Sequence, residues 1–163
     1  METMGKRGDK IMIRIITAGG RDFNDYDLLV SEFAKLLSNL KDEGYNIHRS
    51  TIEIISGGAK GADKLGEKLA KNHNIKLSVF PAEWNNLKDE TCEIRYNKYG
   101  EPYNVLAGFN RNIRMAKYAK DSDLGILLAF WDGKSGGTKH MIETANKANL
   151  RVHIVKYHKC VLV

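Results

Sequence analysis

Two stretches of this chain have the residue types and spacing to do chemistry: Ser56-Gly57-Gly58-Ala59-Lys60-Gly61-Ala62-Asp63 and Gly133-Lys134-Ser135-Gly136-Gly137-Thr138. Each follows a run that reads as a buried strand, and each opens a segment that reads as a helix. A glycine-rich turn at such a junction aims backbone N–H groups and the positive end of a helix dipole at one point. Such a point binds anions, phosphate above all.

In the first turn, Gly57 and Gly58 allow backbone angles and close approach that a side chain would block. Gly61 can bring the next helix tightly against the sheet. Ser56 offers a hydroxyl, and Asp63 can cap the helix or accept a ribose hydroxyl. The turn lacks the Gly-Lys-Ser/Thr ending of a triphosphate loop. In the second turn, Ser135, the amides of Gly136 and Gly137, and Thr138 form a phosphate nest. Lys134 and Lys139 add charge. Thr138 also suits an N-cap, and capping and binding are compatible. A third group is Gly19-Gly20-Arg21-Asp22, where Arg21 can fork onto a phosphate and Asp22 can hold it or meet a ribose. Arg111 and Arg114 share one helix face, with Asn112 between them. Trp84 and Trp131 sit at strand ends, where an indole can stack on a base or simply pack the rim. If the site is catalytic, the carboxylates near the nest are Asp22, Asp63, Glu83 and Asp132. The five histidines show no metal spacing, so no metal is expected.

The elements that must position these residues alternate. Strands are expected at 11–17, 51–55, 75–80, 124–130 and 152–155, from β-branched or wholly apolar runs. Helices are expected at 27–40, started by Asp25 or Asp27 with Gly44 beyond its end, and at 62–73, 110–119 and 138–148. That order specifies an α/β fold of three layers, with a mostly parallel five-stranded sheet between helices. Ligands of such sheets bind beyond the carboxyl ends of the strands, where strand order reverses. From Trp84 to Leu106 no period is visible, and this stretch reads as a loop insertion at about 84–108. We expect a flexible start at 1–10, one domain over 11–157 and a tail at 158–163.

Composition narrows the function classes. The 163 residues are 42% hydrophobic with two prolines, as in a compact globular chain. The net charge of +6 favours anionic partners. Part of that excess sits at Lys6, Arg7, Lys10, Lys156 and Lys159, so simple solvation stays open. Cys92 and Cys160 suggest neither a disulfide framework nor a metal site. The charged start does not resemble a signal peptide, and no apolar run reaches membrane-spanning length. A cytoplasmic protein with no membrane partner is expected.

In combination, the glycine turns, Gly19-Gly20-Arg21-Asp22-Phe23, Phe80-Pro81-Ala82-Glu83-Trp84, Arg111-Asn112 within 108–115 and Ala129-Phe130-Trp131-Asp132 resemble the YspA (YpsA-related) branch of the SLOG superfamily. The resemblance runs from the first strand to the last. It implies a Rossmann-like domain that senses or processes a nucleotide or an ADP-ribose-like derivative, as found in bacteria and their phages. Relatives include the LOG phosphoribohydrolases and the DNA-processing protein DprA. In LOG enzymes a catalytic glutamate follows the second turn, three residues after its threonine; here that place holds Met141. Glu143 lies two positions on, about 200° around the helix.

Three functions follow from this reading. The first is binding or sensing of a small phosphorylated ligand, with no cofactor implied with certainty. The second is hydrolysis of a nucleotide's N-glycosidic or phosphoester bond. The third is nucleic-acid binding. A homo-oligomer stays open. The insertion is expected to act as a lid or a partner surface, and proteolysis at 84–108 that ignores nucleotide would argue against a lid.

Overall fold

A computed structural model describes residues 11–158. The expected flexible start, and the tail from 159 onward with Cys160, lie outside the described residues. Five strands, β1 (Ile13–Gly19), β2 (Ile52–Ser56), β3 (Lys76–Val79), β6 (Leu124–Trp131) and β7 (Arg151–Lys156), form one sheet in the order β3-β2-β1-β6-β7. Every pairing in it is parallel. The expected three-layer α/β architecture is present. Its central strands are mostly apolar on both faces, as a sheet covered on both sides requires, with Arg14 and Glu53 paired across β1 and β2.

The alternation of side chains along β1 sorts the core into two halves. Ile13 and Ile15 join Leu29, Phe33, Leu36 and Leu40 of α1 (Tyr26–Asp42), and Leu69 and Ala70 of α2 (Ala62–Asn72). Ile16 and Ala18 point the other way. They join Met115, Ala116 and Ala119 of α3 (Ala107–Lys120), and Met141 and Ala145 of α4 (Gly136–Lys147). Both pairs of helices therefore carry an apolar stripe onto the sheet. Asp25 caps α1 by accepting from the Leu28 N–H at 3.0 Å, one of the two residues expected to do so.

Two expectations are corrected. Helix α4 begins at Gly136 with Ser135 at its N-cap, so Thr138 is not a cap but lies inside the first turn. The stretch 84–108 is not structureless. Strands β4 (Ile94–Tyr96) and β5 (Pro102–Asn104) pair antiparallel in a small separate sheet. Asn97 closes their turn, its side chain accepting from the N–H groups of Tyr99 and Glu101. Three-residue strands are too short to show a period of two. The base of the hairpin is held by buried asparagines. Asn104 accepts from the N–H groups of Glu93 and Leu106, and Asn110 donates to the carbonyl of Thr91 at 2.6 Å.

Candidate functional site

The chain leaves β1 on one side to build β2 and β3, then returns to place β6 on the other side. Strand order thus reverses between β1 and β6. A cavity of about 580 Å³ opens there, at the carboxyl ends of the strands. The β1 loop contributes Gly19, Gly20, Arg21 and Asp22, and the first glycine turn contributes Ala59 and Asp63. Asp132, Lys134, Ser135, Gly137 and Thr138 line it from the second turn, and Trp84, Arg111 and Asn112 complete the set of expected residues. Ser56, Gly57, Gly58, Gly61, Glu83, Trp131, Gly133 and Gly136 do not line it.

Several of the non-lining residues act as structural supports. The Ser56 hydroxyl is buried, accepting from the Gly58 N–H at 3.0 Å and facing the carbonyl of Asp63 at 3.3 Å. At Gly61, φ is +81°, and a Cβ would stand 2.2 Å from the Gly20 carbonyl oxygen. The first turn and the β1 loop therefore touch backbone to backbone, and the Ala62 N–H donates to Gly20 at 3.2 Å. Gly57 serves a different need. A Cβ there would lie 2.5 Å from Arg111 Nη1 and 2.8 Å from Asp63 Oδ2. Only a glycine lets Arg111 reach in and donate to the Gly57 carbonyl. Trp131 packs against the α3–α4 side of the core and donates from Nε1 to the Ser135 carbonyl at 3.1 Å, so it braces the second turn. Glu83 is exposed and accepts from the Asn86 amide.

The second turn is wound by Asp132, whose Oδ1 accepts from the N–H groups of Lys134 (2.9 Å) and Ser135 (2.8 Å). That Asx-type turn swings the chain into α4. No side chain caps α4, and the N–H groups of Gly136, Gly137 and Thr138 carry no hydrogen bond among the described residues. A Cβ on Gly136 or Gly137 would meet nothing within 4 Å. The first turn of a 12-residue helix thus opens onto free space with its donors unspent.

The cavity lining sets Arg21, Arg111 and Lys134 against Asp22, Asp63 and Asp132, with the repulsion concentrated around Arg111. Burial pulls the Arg111 guanidinium below its ordinary value; Asp63 opposes this, while Arg21 and Arg114 add to it by repulsion. An anion would relieve that crowding. Asp63 is 5% exposed, and burial pushes its carboxyl up to about 6 from an ordinary 3.8. Arg111 and the Ala59 N–H, donating at 3.2 Å, offset only part of that burial. Asp63 sits in the first turn of α2 rather than at its N-cap, which is Gly61. Across the cavity, Trp84 is 41% exposed, stands edge-on to Tyr103 at 6.5 Å and receives the Asn104 N–H on its carbonyl. Tyr157 donates to Asp22 at 2.6 Å and fixes the β1 loop from the end of β7. Phe109, Met115 and Met141 also line the cavity. Met115 and Met141 fall within the expected helices and Phe109 just before one of them, but apolar periodicity cannot separate a cavity wall from a core face.

Residues 13–86 match the model of the family described as YspA, cpYpsA-related SLOG family, so the chain is similar to that family over this stretch. The match covers β1, the first glycine turn and Trp84; the second turn lies beyond it. The chain is also 28% identical over 148 residues to the Gene 61 protein of Mycobacterium phage D29, covering 86% of this chain and 94% of that protein. No solved structure matches significantly. The likeness to that family points to a nucleotide-related ligand in general terms. Where LOG enzymes carry their glutamate, Met141 is buried at the cavity wall, and Glu143 is exposed beside Lys139 at 4.0 Å. Among the described residues, no helix is long and apolar enough to cross a membrane, and no cluster of three acidic, histidine or cysteine side chains could hold a metal ion.

Proposed function

We propose that this protein binds a nucleotide or nucleotide-derived phosphorylated ligand in the cavity between β1 and β6, as a sensor or sequestering protein. The observation that carries this reading is the uncapped first turn of α4, facing open space in a cavity that Arg21 and Arg111 also line. In the proposed complex, the amides of Gly136 and Gly137 and the Ser135 and Thr138 side chains take a phosphate. Arg21 and Arg111 neutralise the remaining charge. Trp84 offers a face to the base, and Asp63 or Asp22 accepts a ribose hydroxyl.

A second reading, hydrolysis of the ligand, is favoured by one observation. A carboxyl group titrating near 6 can give a proton to a departing base, or take one from water, at neutral pH. Asp63 is that group. Nucleic-acid binding gains less support: residues 84–106, the most exposed aromatic region, hold Lys88, Arg95 and Lys98 against Asp89, Glu90, Glu93 and Glu101.

A thermal-shift screen of mononucleotides, cyclic nucleotides, NAD and ADP-ribose, with chromatography of the hits, separates these readings. A ligand at a hundred times its Kd stabilises by about 2.7 kcal/mol. Stabilisation with the ligand recovered intact supports sensing, and product formation supports hydrolysis. Binding that collapses with salt supports nucleic acid. A screen without a hit, or a hit that Arg111→Ala leaves undiminished, counts against the cavity.

A further inference from the structure

His140 does not line the cavity, yet it touches two residues that do and reaches two more through one of them. Its ring stacks on Phe109, with centroids 4.1 Å apart and 21° between the planes. Its Nδ1 lies 3.1 Å from Asn112 Nδ2. The same amide nitrogen donates to the Gly137 carbonyl at 3.4 Å, and Asn112 Oδ1 accepts from Arg111 Nε at 3.0 Å. Asn112 is 4% exposed, so water does not substitute freely for these partners.

Two of the three partners have fixed roles. A guanidinium N–H only donates, and a carbonyl oxygen only accepts. The Asn112 amide therefore has one orientation, oxygen toward Arg111 and nitrogen toward Gly137. Its second N–H faces His140. The ring nitrogen there must be bare, and the neutral ring carries its proton on Nε2. A protonated imidazole bears hydrogens on both nitrogens and would set N–H against N–H.

We infer that His140 is a positioning residue: in its neutral Nε2–H form it locks Asn112, and through Asn112 the Arg111 guanidinium and the first turn of α4, and its protonation releases them. The inference deepens the reading of the cavity as an anion site and rests on it for its effect on ligand. The groups facing the ring are consistent with a neutral resting state. Burial lowers its tendency to protonate, Glu143 opposes this from α4, and Lys147 adds to it. From α3 the ring meets Phe109 and Asn112, with Arg111 behind the amide.

Simple electrostatics predicts the opposite pH effect. Protonation of Asp63 and His140 makes the cavity more positive, so an anion should bind more tightly on acidification. The lock predicts a loss. Two measurements on the full chain decide. In the ligand-free protein, nitrogen NMR should find His140 as the Nε2–H tautomer, titrating below the ordinary 6.5. In Asn112→Asp, a carboxylate that accepts from both Arg111 and the imidazolium should move that titration above 6.5. A Nδ1–H tautomer, or an unmoved titration in Asn112→Asp, overturns the inference.

The second measurement uses inorganic sulfate at constant ionic strength, because sulfate does not titrate in the range. From about pH 7.5 to about pH 5.5, wild-type affinity should fall about tenfold, the scale of one lost hydrogen bond to a charged group. His140→Gln keeps an acceptor that cannot protonate, and its affinity should hold or rise. A wild type that gains as much as His140→Gln overturns the lock. Absence of sulfate binding in every variant would defeat the anion-site reading instead, and the NMR result would still decide the state of His140.

Discussion

Two carboxylates are buried at opposite ends of the same sheet, and the protein treats them in opposite ways. Glu53, on β2 toward the amino ends of the strands, is fully buried. Arg14 donates to it at 3.0 Å, Tyr118 at 2.7 Å and Ser78 at 2.5 Å, with Lys76 at 3.7 Å. Burial pushes its carboxyl up, but these donors together more than offset that, and it ends below its ordinary 4.5. Asp63, at the carboxyl ends, has too few donors to offset burial and ends near 6. A buried charge with all its partners belongs to the architecture. One left short of partners beside an open cavity is where a protein keeps a reactive or binding group, at a cost to its own stability.

Several variants can break or sharpen this contrast. Glu53→Ala should have the largest effect. It removes the ion-pair partner of Arg14, which is only 16% exposed, stacks over Tyr118 at 3.7 Å and keeps only the carbonyls of Tyr118 and Asp121 as acceptors. A loss of about 3–5 kcal/mol is expected in urea unfolding. A loss under about 1 kcal/mol would mean that the network is not structural.

Asp63→Asn should act in the other direction. The folded carboxyl is raised, from 3.8 to about 6, so the folded state holds a proton that the unfolded state has released. Stability from this group is fully present below 3.8 and is lost as pH rises through 6. The neutral amide avoids that loss. The variant should therefore gain up to about 3 kcal/mol above pH 6 and almost nothing near pH 4. The gain, followed by Tm across this range, should come with weakened ligand stabilisation. Glu53 has the reverse sign. Its contribution is present above 4.5 and is lost as pH falls through its lowered folded value.

Gly57→Ala should cost about 1–3 kcal/mol, because its Cβ meets Arg111 and Asp63. It should also abolish ligand-induced thermal shift, since Arg111 must withdraw. Gly137→Ala should have the smallest effect on the fold. Its Cβ meets nothing and the position is helical, so denaturant unfolding should show a gain of up to about 1 kcal/mol. The same methyl stands where the proposed phosphate sits. Undiminished ligand stabilisation in Gly137→Ala would remove α4 from the site.

How much of this was legible in the chain depends on the range of the interaction. The apolar run Leu124–Phe130 and the helical spacing of Leu29, Phe33, Leu36 and Leu40 are local patterns, and both elements appear where they were expected. Arg21, Asp63, Ser135 and Gly137 were named from turn chemistry and Arg111 from its helix face, and all line one cavity. Trp131 and Ser56 have the same residue types as binding groups but are used as braces. Sequence cannot tell which way a side chain turns. The β4–β5 hairpin was missed because its strands are shorter than any periodic signal.

The sequence alone determined that strands and helices alternate, that the sheet is parallel, and that glycine turns gather at its carboxyl edge. These follow from hydrophobic period and backbone freedom, which act over a few residues. Tertiary structure alone decided which charges are satisfied. Arg111 meets Gly57 across 54 positions, Tyr118 meets Glu53 across 65, and Asn112 meets His140 across 28. Proton affinity depends on desolvation and on donors brought from distant segments, and those exist only once the chain has folded.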